Sequence, residues 1–352
     1  MRKSFVITAI TMCLLIAFAS CGDKKKKSYD EVAMSGLTTR TENLKANLKT
    51  YADKGILVGQ MYGTLEGIGW QCDSDRSDIQ SICGDRPAVV GYELAGIENG
   101  QYNNANGLSF RAIREDILKN FRRGALTIMN WTMPDYQGKD EILEEYAKKL
   151  AKYFDTLQDD YGIKAPIVLN IMPIDNKSWY CKLSKDDYIN LYKKIQDLLG
   201  DEKVSNVIYG YSETYAQGNN FMARYPDHDI SVINATYLQD KAHIQLPLYA
   251  QNIKAMIEKA LSFAQEHNTA FGITTGVESV PDSSVFPTLI KELKPHRISY
   301  LMFGANQGEF KDGHYFIPYP GDGNDKIHGF MELFNDEKTI FMSKLNGLYL
   351  EH

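Results

Sequence analysis

Short apolar runs alternate with amphipathic helical patterns along nearly the whole chain, and eight such runs can be counted. The clearest is IVLNIMPIDNKSW at 167–179. Ile167, Val168, Leu169, Ile171 and Met172 make the near-continuous apolar stretch of a parallel strand covered on both faces. It breaks at Pro173 into a polar segment that ends in Trp179 and Tyr180. FGITTGVESVPD at 271–282 has the same form. The eight runs predict strands at 56–60, 88–94, 125–130, 167–172, 206–211, 230–235, 270–275 and 298–303. Helical patterns lie at 28–54, 110–122, 139–161, 185–199, 248–266 and 284–293. Strands and helices in this order predict an α/β fold, a single-domain (β/α)8 TIM barrel over 31–352. An open doubly wound sheet is the alternative, and the strand count favours closure. No glycine-rich phosphate fingerprint or P-loop follows any strand, and no cofactor is expected.

Arg2 and Lys3 precede a short apolar stretch, 5–18, and then Ala19, Ser20 and Cys21. This start resembles a bacterial lipoprotein signal of the Bacteroides type. The resemblance implies a signal peptide at 1–20, lipidation of Cys21, and a basic tether at 21–30 that contains Lys24 to Lys27. The alternative is an ordinary secretory peptide. An acylated Cys21 would anchor the protein to the bacterial outer membrane without a spanning helix; either face, surface or periplasmic, is open. In an exported protein Cys72 and Cys83 are a disulfide candidate, Cys181 is left over, and no spacing suits a metal. A net charge of -6 gives no footprint for nucleic acid.

In a barrel, function collects where the strands end. Those ends carry Tyr62 and Trp70, Glu93 and Glu98, Trp131 and Asp135, Asp175 and Trp179, then Glu213, Tyr237, Glu278 and Asn306. Carboxylates alternating with aromatics suit a carbohydrate cleft, where rings stack on sugar C–H faces and polar groups bond hydroxyls. Each also has a plain reading as a rim residue satisfied by its own loop.

Several segments resemble glycoside hydrolase family 26, the β-mannanase family: GxxxGIGW at 63–70 with RSD at 76–78, CGDRPAVVGYELAGIE at 83–98, RRGALTIMNW at 122–131, TTGVESVPD at 274–282, RISYLMF at 297–303 and HYFIPYPG at 314–321. The resemblance implies an exported barrel acting on β-1,4-mannan, with an acid/base glutamate after strand four and a nucleophilic glutamate on strand seven. Aligned on Ser178-Trp179 and on Gly276, those positions hold Ile174 and Thr274. Retaining hydrolysis needs two carboxyls about 5–5.5 Å apart, and neither residue supplies one. The family's histidine after strand three is Thr132, its acid on strand six is Ala235, and its Trp-Arg-Asn run is Gly304-Ala305-Asn306. The expected function is therefore binding of β-mannan or a related β-glycan without hydrolysis. Trp70, Trp131, Trp179 and Tyr237 would stack, and Glu98, Asn306 and Asp175 would bond hydroxyls. The alternatives are a hydrolase that recruits Asp175 and Glu213, and a sugar-free scaffold docked on outer-membrane glycan-uptake proteins.

Overall fold

The computed structural model describes residues 32–217 and 220–351. The proposed signal peptide, Cys21 and the basic tether lie outside them. Eight parallel strands close into a barrel: β1 Ile56–Met61, β2 Val89–Glu93, β3 Leu126–Trp131, β4 Ile167–Ile171, β5 Val207–Thr214, β6 Ile230–Gln239, β7 Ala270–Val277 and β8 Tyr300–Phe303. Each pairs with the next, and β8 pairs back on β1 through Leu57–Tyr300 to Gln60–Phe303. The short strand Thr339–Ile340 adds to β1 from outside the closed ring.

Helices pack around it: α1 Thr39–Lys54, α2 Asp78–Cys83, α3 Phe110–Arg123, α4 Asp140–Thr156, α5 Lys185–Asp201, α6 Leu246–Glu266, α7 Val285–Leu293 and α8 Asn324–Asn335. The chain passes from β5 to β6 through turns. Helix α1 starts later than its sequence pattern, because Thr38 Oγ1 accepts from Thr41 N and caps it. Helices α2 and α8 escaped the periodicity reading. The first is six residues long, and the second buries little more than Phe330 and Leu333.

Strands β5, β6 and β7 run past their apolar segments into Ser212–Thr214, Thr236–Gln239 and Gly276–Val277. The ladder continues there, with Ser212 opposite Asn234 and Thr236 opposite Thr274. Alternation along a strand decides which side chains enter the barrel. Asn234 Nδ2 donates to Ser212 Oγ at 3.0 Å, and its Oδ1 accepts from Thr274 Oγ1 at 3.1 Å and Tyr300 Oη at 3.0 Å. These groups therefore share the interior. Their neighbours Tyr211, Glu213, Ala235 and Ile273 face the helix layer.

Four carboxyls inside the fold, Glu66, Glu93, Asp116 and Glu213, are held above the ordinary range, each chiefly by burial. A raised native pKa means that the folded state binds protons more tightly than the unfolded chain. That stabilisation is complete below the unfolded value, about 4, and is lost as pH rises through the folded values. The urea midpoint is expected to fall between mildly acidic and neutral pH. Asp116→Asn, which keeps an acceptor for Thr64 and Tyr92, should flatten that slope. An unchanged slope would show that Asp116 does not control it.

Candidate functional site

The barrel mouth lies over the C-terminal strand ends. Its floor is sulfur and methyl: a Cβ on Gly91 would collide with Met61 Sδ and Met302 Sδ, so both methionines fill the interior beneath it. Above the floor the wall is neutral and polar. Asn170 Nδ2 donates to Asn130 Oδ1 at 2.9 Å, and Asn170 Oδ1 is buried with no partner among the described residues. Ser212, Asn234, Thr236 and Thr274 continue the wall around β5 to β7. Phe316 closes one side, its ring seated where a Cβ on Gly276 or Gly304 would stand.

The strand positions that bond into this interior include one carboxylate, Glu93. It accepts from Leu94 N, Ala95 N and Thr132 N, and from Thr132 Oγ1 at 2.9 Å. Burial raises its pKa against those four bonds. All four donors to its carboxyl are uncharged.

Several residues expected to touch ligand are framework. Trp131 is fully buried, because its neighbour Asn130 takes the inward position and turns the indole toward the helices. Its Nε1 donates to Glu98 Oε2 at 3.0 Å, and Glu98, also buried, accepts from Gly96 N at 2.8 Å. Trp70 Nε1 donates to Asp78 Oδ1 at 2.7 Å. Asp78 Oδ2 takes Ile68 N and Asn306 Nδ2, so Trp70 and Asn306 tie the first and last loops together. Both are buried. Tyr237 points outward, stacks on Tyr249 of α6 and accepts from Asn252 Nδ2 at 2.7 Å.

Ile174 departs from expectation in another way. Asn170 lies opposite Gly210, whereas Ile174 lies opposite Glu213, so four steps on one strand match three on the other. The extra residue is absorbed at Met172, whose φ of 47° is uncommon for a side chain with a Cβ. Ile174 thus shares the outward side with Glu213, while Thr274 faces inward. The two do not oppose each other across the mouth.

Asp175 folds back on its own loop, accepting from Lys177 N, Ser178 N and Ser178 Oγ. Burial acts to raise its pKa, but these bonds outweigh it and hold the carboxyl below its usual value. Glu213 accepts from Tyr211 Oη at 2.6 Å and Met222 N at 2.9 Å on the helix side of the wall. The recruited pair is not formed. Cys72, Cys83 and Cys181 are free thiols, and Cys83 Sγ donates to Asp85 O, so no disulfide joins Cys72 to Cys83.

Trp179 keeps a role at the mouth. Half-buried, it donates from Nε1 to Met133 O at 2.9 Å and packs against Tyr136, joining the loops after β3 and β4. Sequence reading passed over Tyr136, Phe316 and the exposed Phe310. The available clue for Phe316 was a glycine at each of two neighbouring strand ends, which leaves room for a ring.

A cavity of about 810 Å³ lies at the other end of the barrel, by Ser205 and Val207. It is remote from the C-terminal strand ends where barrel chemistry is built. Among the described residues no His, Cys, Asp and Glu cluster could hold a metal ion, and no helix is long and apolar enough to cross a membrane.

The closed ring with its loop-built mouth defines a (β/α)8 barrel, and solved structures of that class match it. Bacteroides ovatus GH26 β-mannanase, BoMan26A, superposes with a TM-score of 0.82 at 27% identity, covering 90% of this chain and 98% of that one. The catalytic domain of Bacillus sp. JAMB-750 GH26 endo-β-1,4-mannanase gives 0.78 at 18%, covering 90% and 95%. GH26C from Muricauda sp. MAR_2010_75 gives 0.77 at 18%, covering 89% and 94%. No protein-family model matches the chain, and no curated protein matches it. The fold is that of the GH26 β-mannanases.

Proposed function

We propose that this protein binds β-mannan or a related β-glycan in its barrel mouth and does not hydrolyse it. The carrying observation is a mouth walled by amides and hydroxyls, with Thr274 where the family resemblance calls for a nucleophile and Ile174 outside the mouth altogether. The similarity to β-mannanases over nearly the full length supports the ligand class. Trp179 with Tyr136, and Phe316, offer ring faces, while Asn130 and Asn170 bond hydroxyls. We further propose that Cys21 carries the lipid that anchors the protein to the outer membrane, beside glycan-uptake proteins.

The test is a long incubation of protein starting after Lys27 with mannan, glucomannan and xylan oligosaccharides, followed by mass spectrometry and, in parallel, calorimetric titration. Binding heat without shorter products is expected. Shorter products that a Glu93→Gln variant no longer makes would establish a hydrolase and overturn the proposal; no heat with any glycan would leave the scaffold reading.

A further inference from the structure

Outside the barrel wall, over the N-terminus of α5, lies a second cavity of about 360 Å³. Its apolar side is Ile174, Leu183 and Ala223, and its polar side includes Glu213, Arg224, Lys185 and Asn176. Glu213 is 6% exposed. Both of its local bonds, from Tyr211 Oη and Met222 N, go to Oε2, which leaves Oε1 to the cavity. Arg224 is held by a single bond, Nη1 to Cys181 O at 2.8 Å, and presents the rest of its guanidinium. The barrel mechanism uses none of these groups. The register change at Met172 turns Ile174 and Glu213 together toward this side, so the cavity is separated from the mouth by the strands themselves.

A buried carboxylate oxygen must have a donor, and a guanidinium must have acceptors. Glu213 and Arg224 side by side call for a ligand that both donates and accepts, and Lys185 adds a further donor. A sugar ring does so through adjacent hydroxyls and lays its C–H face on an apolar floor. The volume lies within the usual range for small-ligand pockets and is large enough for one ring.

We propose that this cavity is a second glycan subsite that takes one uncharged hexopyranose. The proposal rests on the glycan-binding reading and extends it to a site outside the barrel.

The test uses ligand-observed NMR on the protein starting after Lys27, with the methyl glycosides of mannose, glucose and galactose as probes. At least one is expected to bind and to stay bound when a saturating linear mannohexaose is added. Ala223→Phe, which fills the cavity, should abolish that binding. Glu213→Gln, which keeps an acceptor for Tyr211 and Met222 but turns an amide into the cavity, should weaken it by about tenfold or more. Retention of circular dichroism in both variants separates these losses from unfolding. Three results would overturn the subsite: no glycoside binds, the variants bind as well as wild type, or mannohexaose displaces the glycoside. The last places the sugar in the mouth. Binding of mannohexaose to wild type is read in the same experiment and reports on the mouth independently.

Discussion

Trp131→Ala is expected to lower the unfolding free energy by about 5 kcal/mol, enough to remove a large part of a typical domain's stability. Two terms add. Emptying a fully buried indole site costs roughly 3–5 kcal/mol, because the surrounding core closes only in part. Glu98 Oε2 then loses its donor inside the fold, which costs about 1–3 kcal/mol more. Trp179→Ala is the contrasting experiment. Its indole is half-buried and its ring lies at the mouth, so we expect a loss of only about 1–2 kcal/mol in stability. Binding of mannan oligosaccharides should weaken at least tenfold, the scale of an aromatic anchor. Urea unfolding read by circular dichroism, with titration calorimetry of each variant, separates the two tryptophans. Trp131→Ala folding with near-native stability but failing to bind glycan would reverse the assignment.

Restoring glutamate at both family-aligned positions, Ile174→Glu with Thr274→Glu, is expected to yield no mannanase activity and to destabilise the protein by several kcal/mol. Ile174 is 4% exposed and Thr274 is 7% exposed, so each new carboxyl would enter a site built for an uncharged group. Burial would favour the protonated form of both. More decisively, position 174 faces the helix layer beside Glu213, and position 274 faces Asn234 in the interior. The two positions thus face opposite sides of the barrel wall, whereas retaining cleavage needs both carboxyls in one cleft about 5–5.5 Å apart. Release of reducing ends from mannan, measured on variant protein whose folding has been checked by circular dichroism, decides the matter. Turnover by the double variant would show that the two positions do meet across the mouth.

These results show where residue identity was informative. Apolar runs placed all eight strands, since a strand buried on both faces must be apolar on both. They missed the polar extensions of β5 and β6, because Ser212, Asn234 and Thr236 satisfy one another inside the barrel and need no apolar partner. The tryptophans were placed at the correct strand ends, but their functional meaning depended on direction. Trp131 follows an inward Asn130 and must point outward, whereas Trp179 sits in a loop that strand alternation does not govern. Glu98, Asn306 and Trp70 looked like cleft residues because they are polar or aromatic at strand ends. Asn306 meets Asp78 across 228 residues, a contact that only the closed ring makes, and Glu98 meets Trp131 from the next strand; Trp70 bonds Asp78 within its own loop.

The sequence by itself determined the closed (β/α)8 architecture, the order of its strands, and the lack of a carboxyl at positions 174 and 274, because periodicity and residue type are local properties. The tertiary structure decided which side of the wall each strand-end residue occupies. A single backbone choice at Met172 shifts the pairing of β4 with β5 by one residue and sends Ile174 outward. Methionine has no intrinsic preference for a positive φ, so Pro173 announces that the strand breaks but nothing in that stretch announces the change of register. It is fixed by the ladder on either side, and with it the division between a neutral mouth and the outer cavity at Glu213.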